Sequence, residues 1–281
     1  MKVLAIGASR NIGYYATQRL LNQGATVTFL LRNASCFDND DTMQPFIASG
    51  HARLVQGDAL KEADVQKAWA ASAEGSDHGI PDVVLSSVGG TPKFSITGGA
   101  IVDPPDICTR AMLALLTCFP KDASIQPQPK LILISSTGLS KSAHDNLPFA
   151  MKPMYAYLLR SPHKDKLGME RVVHYAARGW VWPKEDGEPL ATILPPGWKS
   201  KLDGERAEEG GYLTDVVVVR PSMLTDGACK ADKKGDNAYR AEEKEISSGY
   251  TVSRRDVGHF LAEKCIPEWE KWNGKCVRIS Y

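Results

Sequence analysis

The sequence predicts an α/β fold built on a parallel sheet, and two features carry that expectation. The stretch Met1 to Arg32, MKVLAIGASRNIGYYATQRLLNQGATVTFLLR, reads as strand, glycine turn, amphipathic helix and second strand. Further along, apolar runs of strand length alternate with helical stretches, and several close on glycine or small hydroxyl residues. Asp82 to Ser86 runs into Ser87-Val88-Gly89-Gly90, and Lys130 to Ser135 into Ser136-Thr137-Gly138. Buried parallel strands that deliver polar groups to a crevice have this form.

The elements follow in order. Val3 to Ile6 is the first strand. Ile12, Ala16 and Leu20, at four-residue spacing, turn one face of the first helix to the sheet, and Gly24 stops it. Val27 to Leu31 is the second strand. Cys36 to Gly50 is a polar connection with a short helix near Met43 to Ala48. Ala52 to Asp58 reads as a third strand and turn, and Glu62 to Ala71 as a helix. After the fourth strand, Thr91 to Ile101 reads as a glycine-rich loop. Asp103-Pro104-Pro105-Asp106 starts a helix, with prolines and acids suited to its positive end. Ile107 to Phe119 is apolar nearly all round, which predicts a buried helix. Leu139 to Ser161 reads as loop and His163 to Arg178 as a strong helix, with Met169, Val172, Val173 and Ala176 on one face; Lys166 and Glu170 are spaced to pair on another. Thr214 to Arg220 is the sixth strand, Gly227 to Glu245 a charged, exposed stretch, Tyr250 to Ser253 a short strand, and Cys276 to Ser280 the closing strand. Asp256 begins the last helix.

The chain is read as one domain over 1–281, with an inserted loop or lid at about 179–212. That insert holds Trp180, Trp182 and Trp198, and packing is the expected role of its tryptophans. A hydrophobic content of 43% and a charged content of 24% are those of a globular protein with a sizeable core. The formal charge of +1 supplies no general field for nucleic acid or an anionic membrane. No apolar run approaches the ~20 residues that span a bilayer. The six cysteines are scattered, without a metal-binding spacing, and are expected as reduced core thiols in a cytoplasmic protein.

The glycine turn carries the chemistry. Gly7 lets the chain turn sharply off the first strand, and Gly13 lets the helix start lie close to the strand or to a pyrophosphate. The free N–H groups of that helix start then face an anion. The middle glycine of G-x-G-x-x-G is missing, and the pattern is G-A-S-x-x-I-G. The second strand ends at Arg32, with no acidic residue until Asp38. An acid there would bond the ribose 2′-hydroxyl of NAD, whereas Arg suits the 2′-phosphate of NADP. Arg10 is a candidate second cation. Asp58 is placed either to cap the following helix or to accept from the adenine amino group.

Together, Gly7-Ala8-Ser9 with Ile12-Gly13, Arg32, Gly57-Asp58, Ser87-Val88-Gly89, Ser135-Ser136-Thr137, Lys166 with Glu170, Arg220-Pro221-Ser222-Met223-Leu224 and Ser253-Arg254-Arg255-Asp256-Val257 resemble the atypical short-chain dehydrogenase/reductase superfamily. The nearest group is the NmrA-like and biliverdin reductase B-like one. The resemblance spans nearly the whole chain. It implies a Rossmann-like, doubly wound, mostly parallel sheet of about seven strands with helices on both faces. It also implies cofactor contacts at Gly7, Ser9, Arg10, Asn11, Ile12, Gly13 and Arg32, then at Asp58, Ala59, Ser87, Val88, Gly89, Lys166, Pro221 and Ser222. No metal is implied. Three departures stand out. Arg10 occupies the place of the family's third glycine, the 179–212 insert is long, and the Tyr-x-x-x-Lys catalytic pair is absent because Pro162 stands four residues before Lys166.

In ordinary members a tyrosine protonates the carbonyl oxygen, while lysine lowers that tyrosine's pKa and holds the nicotinamide ribose. Here the resemblance leaves Lys166 for the ribose, Ser136 to polarise a carbonyl, and Tyr155 (or Tyr157) as acid. Hydride transfer by positioning alone, with the proton from water, suits easily reduced acceptors such as flavins, quinones or linear tetrapyrroles. The expected activity is NADPH-dependent reduction of a small organic molecule by a monomer or homodimer. The alternative is an NADP(H)-binding redox sensor without chemistry.

Overall fold

The structure, a computed structural model, describes residues 1–91, 93–95, 99–122, 126–139, 160–203, 211–244 and 246–281. Tyr155 and Tyr157 lie outside the described residues. The chain forms two compact units, one of Met1–Ser87, Gln126–Ile134 and Asp215–Tyr281, the other of Val88–Ile125 and Ser135–Thr214.

The first unit holds the whole of an eight-stranded sheet. Its strands are β1 (Lys2–Ile6), β2 (Thr26–Leu31), β3 (Ala52–Gln56), β4 (Val83–Ser86), β7 (Lys130–Ile134), β8 (Val216–Pro221), β10 (Arg240–Glu242) and β12 (Lys275–Ser280). The order is β10-β12-β8-β7-β4-β1-β2-β3, parallel throughout except for the antiparallel edge strand β10. The about seven strands implied by the resemblance are the parallel ones. The eighth lies in the stretch read as exposed and charged: three residues of Arg-Ala-Glu carry no apolar run, and a charged edge strand needs none. Beside the sheet, β9 (Met223–Thr225) and β11 (Thr251–Ser253) form a parallel pair.

Alternation places the two faces. Val3, Ala5, Val27, Phe29, Leu31, Val83 and Leu85 pack in one cluster with Ile12, Ala16 and Leu20 of α1 (Asn11–Asn22) and with Val257, Phe260 and Trp269 from the C-terminal helices. Leu4, Thr28, Leu30 and Val84 are buried on the opposite face. There, past the short α2 (Gln44–Ala48), α3 (Glu62–Ala73) lies against β1 to β3. Both faces of β1 and β2 are thus covered within this unit, which is why these two strands are buried along nearly their whole length. The first helix closes as its sequence predicts. Gly24 takes φ +84°, its N–H donates to Leu21 O and that of Ala25 to Leu20 O, which satisfies the last carbonyls.

The second unit carries α4 (Ile107–Leu116), with nine of its ten residues buried, and α5 (Arg160–Ala176), which begins three residues before the expected start. The stretch read as a glycine-rich loop is instead a hairpin of β5 (Lys93–Ser95) and β6 (Gly99–Ile101). In the 179–212 segment, Trp180 and Trp182 stand edge-on to His174 of α5, with ring centroids 4.8 and 5.1 Å away. Arg171 lies 5.5 Å from the ring of Trp182 and 5.6 Å from that of Trp198, while Ile193, Leu194 and Trp198 are buried. These tryptophans pack on α5.

Candidate functional site

Strand order reverses beside β1, with β2 and β3 to one side and β4, β7 and β8 to the other. In such a sheet a ligand crevice opens at the carboxyl ends of the two strands flanking the reversal. The segments leaving β1 and β4 are Gly7 to Gly13 and Ser87, and their geometry explains the motif.

Gly7 has φ +76°, which an L side chain adopts only with strain. Arg10 is extended, with φ −162° and ψ 174°, whereas Asn11 has φ +58°. Arg10, which stands at the family's glycine position, is thus extended, and its neighbour Asn11 is the residue that takes the left-handed conformation. Asparagine is among the few residues that visit the left-handed region readily, so Asn11 holds this turn without a glycine. We expect Asn11→Gly to leave stability within about 1 kcal/mol, since relief of the Cβ is offset by backbone entropy. Asn11→Val should cost about 1–2 kcal/mol. Urea unfolding measures both, and a neutral Asn11→Val would show that the left-handed conformation carries no cost.

α1 then starts without a side-chain cap and without an acid in its first turn. Its first N–H groups are left to an external acceptor, the arrangement that binds phosphate. Ile12 is buried, so only its backbone faces the turn; Ser9 and Arg10 are exposed. A Cβ on Gly13 would lie 2.2 Å from Ser87 Oγ, 2.8 Å from Ala8 Cα and 2.9 Å from Ala8 Cβ. Ser87 Oγ donates to Gly7 O at 3.0 Å and Ile6 O at 3.3 Å, tying the end of β4 to the end of β1. Of the two uses read for Gly13, the structure assigns close packing of the helix on the strand ends.

Past β2, Arg32 is exposed and forms no ion pair among the described residues. The chain turns into a 3-10 helix over Ala34–Phe37, capped by Asn33, whose Oδ1 accepts from Ser35 N at 3.0 Å and Ser35 Oγ at 2.7 Å. Past β3, Asp58 Oδ1 accepts from Leu60 N at 3.0 Å, a local turn leading to α3, and Asp58 N donates to Asp64 Oδ2 at 2.8 Å; Ala59 is half-buried. Pro221 ends β8, paired with Ile279. Ser222 is buried, its N–H donating to Ile279 O at 2.9 Å and its hydroxyl to Gly249 O at 3.3 Å, so both donors serve the fold.

In the second unit, Val88 O accepts from Cys108 Sγ at 3.3 Å, and burial pushes that thiol up to about 12, away from nucleophilic use. Gly89 is exposed. Ser136 is half-buried, and its Oγ reaches Thr137 O at 3.2 Å. Its neighbour Ser135 is 3% exposed, with no partner for its hydroxyl among the described residues. Lys166 is half-buried on α5, while Glu170 is 1% exposed, deeper than a surface pair would lie. Asp165, which no sequence signal singled out, is buried and holds the start of α4 through Cys108 N and Thr109 N. Among the described residues no group of three His, Cys, Asp or Glu is placed to hold a metal, and no helix is long and apolar enough to cross a membrane.

Residues 7–198 match the NAD(P)H-binding family. The chain is 33% identical over 234 residues to Reductase pytE of Aspergillus terreus, spanning 81% of this chain and 77% of that protein. It is 25% identical over 279 residues to Oxidase pynE of Aspergillus niger, spanning 90% and 85%. Among solved structures, a short-chain dehydrogenase of Burkholderia cenocepacia in complex with NADP superposes with a TM-score of 0.56 at 17% identity, covering 99% of this chain and 96% of that one. The Gly7 turn at the sheet's reversal point and these relatives agree: the chain belongs to the NAD(P)H-binding family.

Proposed function

We propose that the protein is an NADPH-dependent reductase of a small organic acceptor such as a carbonyl, quinone or flavin. The observation that carries the reading is the uncapped start of α1, entered through left-handed Gly7 and Asn11, with the uncompensated Arg32 at the next strand end. These residues fit a phosphorylated dinucleotide. The N–H groups of Asn11, Ile12 and Gly13 would take the pyrophosphate, an attraction worth up to ~2 kcal/mol from the helix dipole alone. Arg32, with Arg10, would take the 2′-phosphate. Asp58 would accept from the adenine amino group through the oxygen not used in its turn. Bound NADPH supplies the hydride, and reduction of the acceptor consumes one proton.

Ser136, Lys166 and Tyr155 are the chemical residues of the proposal by resemblance, with water as the alternative proton source. Val88, Gly89, Pro221 and Ser222 complete the proposed cofactor contacts, and the 179–212 segment is assigned to acceptor choice. The relatives' names, a reductase and an oxidase, support a redox activity. One observation favours the sensor reading: the residue four before Lys166 on α5 is Pro162, where a catalytic tyrosine would stand.

Two measurements test this. Arg32→Asp removes a charge-assisted contact of roughly 1.5–3 kcal/mol, so NADPH affinity should fall about ten- to hundredfold with NADH affinity unchanged or improved. Equal affinity of the unaltered protein for NADH and NADPH would defeat the 2′-phosphate role. For the activity, NADPH oxidation is followed with flavin, quinones, biliverdin, aldehydes and enones. Tight binding of NADPH with no acceptor turned over would leave the sensor reading standing instead.

A further inference from the structure

A cleft of about 350 Å³ opens in the first unit along the side of α1, lined by Tyr15, Gln18, Arg19 and Asn22 of that helix and by Asp232 and Arg255 from the C-terminal part of the chain. Its walls are held from behind. The helix Arg254–His259 crosses α1 at Gly258, where a Cβ would meet Tyr15 Cβ at 2.8 Å and Ala16 N at 3.0 Å. The third wall, around Cys229 and Ala231, is tied to Asp256, which is fully buried and accepts from Cys229 Sγ at 3.3 Å and Ala231 N at 2.9 Å. Three segments are therefore fixed around a concave space, and no side-chain rearrangement is needed to open it.

One of the cleft's two cations is paired and, among the described residues, the other is not. Arg19 is engaged: it bonds Asp232 at 2.5 Å and Cys229 Sγ at 3.5 Å, and lies 3.5 Å from Glu263. Arg255 is exposed, its guanidinium carbon 4.5 Å from the centroid of the Tyr15 ring, and has no acidic partner among the described residues. A guanidinium held against an aromatic ring keeps N–H donors that can take a carboxylate in bidentate fashion. Around that single uncompensated cation stand two amides, Gln18 and Asn22, and the Asp232 carboxylate, which still has lone pairs to offer hydroxyl donors. One cation, two amphoteric amides and one acceptor define the complement: one negative charge together with several hydroxyls.

We propose that this cleft binds a hydroxylated monocarboxylate, of the sugar-acid or hydroxy-acid class, with Arg255 holding the carboxylate and Gln18, Asn22 and Asp232 the hydroxyls. The site is separate from the turn at Gly7 to Gly13 and does not depend on the proposed activity. It shares α1 with that turn, so an occupant rests on the helix whose start faces the dinucleotide.

D-gluconate is the probe, titrated into the ¹⁵N-labelled full-length protein and followed by amide shifts, with sodium chloride matching ionic strength. Sorbitol serves as the uncharged analogue. Saturable shifts at Asn22 and Gly258 are expected with gluconate and not with sorbitol or chloride. Arg255→Ala, at an exposed position, should weaken gluconate at least tenfold, and Arg255→Lys, which keeps charge but loses the fork, should fall between. NADPH affinity of both variants should equal that of the unaltered protein. Absence of saturable shifts, equal binding of gluconate by Arg255→Ala, equal binding of sorbitol, or competition between gluconate and NADPH would each overturn the assignment.

Discussion

Gly13→Ala should both lower the stability of the first unit and remove most of its affinity for NADPH. Two of the clashes that a Cβ meets there differ in kind. Ser87 Oγ, at 2.2 Å, can rotate away, at the cost of its bonds to Gly7 O and Ile6 O. Ala8 Cα, at 2.8 Å, is backbone of the turn itself and cannot. The helix start must therefore shift outward, carrying the N–H groups of Asn11 to Gly13 away from where a pyrophosphate would sit. Overpacking of this kind costs about 1–3 kcal/mol, or a melting temperature lower by several degrees in a chain of this size. The loss of binding should exceed the loss of stability, because the displaced groups are the ones proposed to hold the pyrophosphate. Thermal melts with and without NADPH measure both. Adding Ser87→Ala to Gly13→Ala relieves the side-chain clash alone, so it should recover part of the stability and little of the affinity. A Gly13→Ala protein that melts and binds as the original would show that the close approach has no functional weight.

What could be read in advance follows from what a sequence encodes locally. The spacing of Ile12, Ala16 and Leu20, and the uninterrupted apolar runs of β1, β2, β4, β7 and β8, report burial directly, and those elements were placed within a few residues. The hairpin at Lys93–Ser95 and Gly99–Ile101 and the edge strand Arg240–Glu242 were not, because three-residue strands with polar or glycine content carry no periodicity. The left-handed residue of the turn was not legible for another reason. Backbone φ is not a property of composition, and only the geometry separates extended Arg10 from left-handed Asn11. In the site, the glycine turn was legible as a turn because its residues are contiguous and its form is set mostly by backbone. The residues expected to act on an acceptor are spread along the chain; Tyr155 lies outside the described residues, and the flanking Ser135 and Asp165 owe their interest to burial that no short motif signals.

Asp165→Ala should produce the largest loss of stability in the second unit. Asp106, at the position that would cap α4, makes no capping bond with its side chain. The task falls to a carboxylate from another helix. Asp165 Oδ2 accepts from Cys108 N at 2.8 Å, and Oδ1 from Thr109 N at 2.9 Å and Thr109 Oγ1 at 2.9 Å, in a setting where Asp165 is 2% exposed. A negative charge at the positive end of α4 is favoured on electrostatic grounds as well. Truncation strands two buried N–H groups, each costing about 1–3 kcal/mol, so a loss of about 3–5 kcal/mol is expected. Asp165→Asn keeps one acceptor but turns an NH2 toward the other N–H, so it should fall between. Thr109→Val, which removes the hydroxyl and leaves both backbone bonds, should cost least. Chemical denaturation ranks the three. If Asn proved as harmful as Ala, charge would be the essential property; if Thr109→Val matched Asp165→Ala, the hydroxyl rather than the backbone cap would hold the joint. Because Lys166 is the next residue on α5, the same joint fixes where that lysine is presented. Asp165→Asn should therefore alter turnover more than its effect on stability explains, provided Lys166 has the role proposed for it.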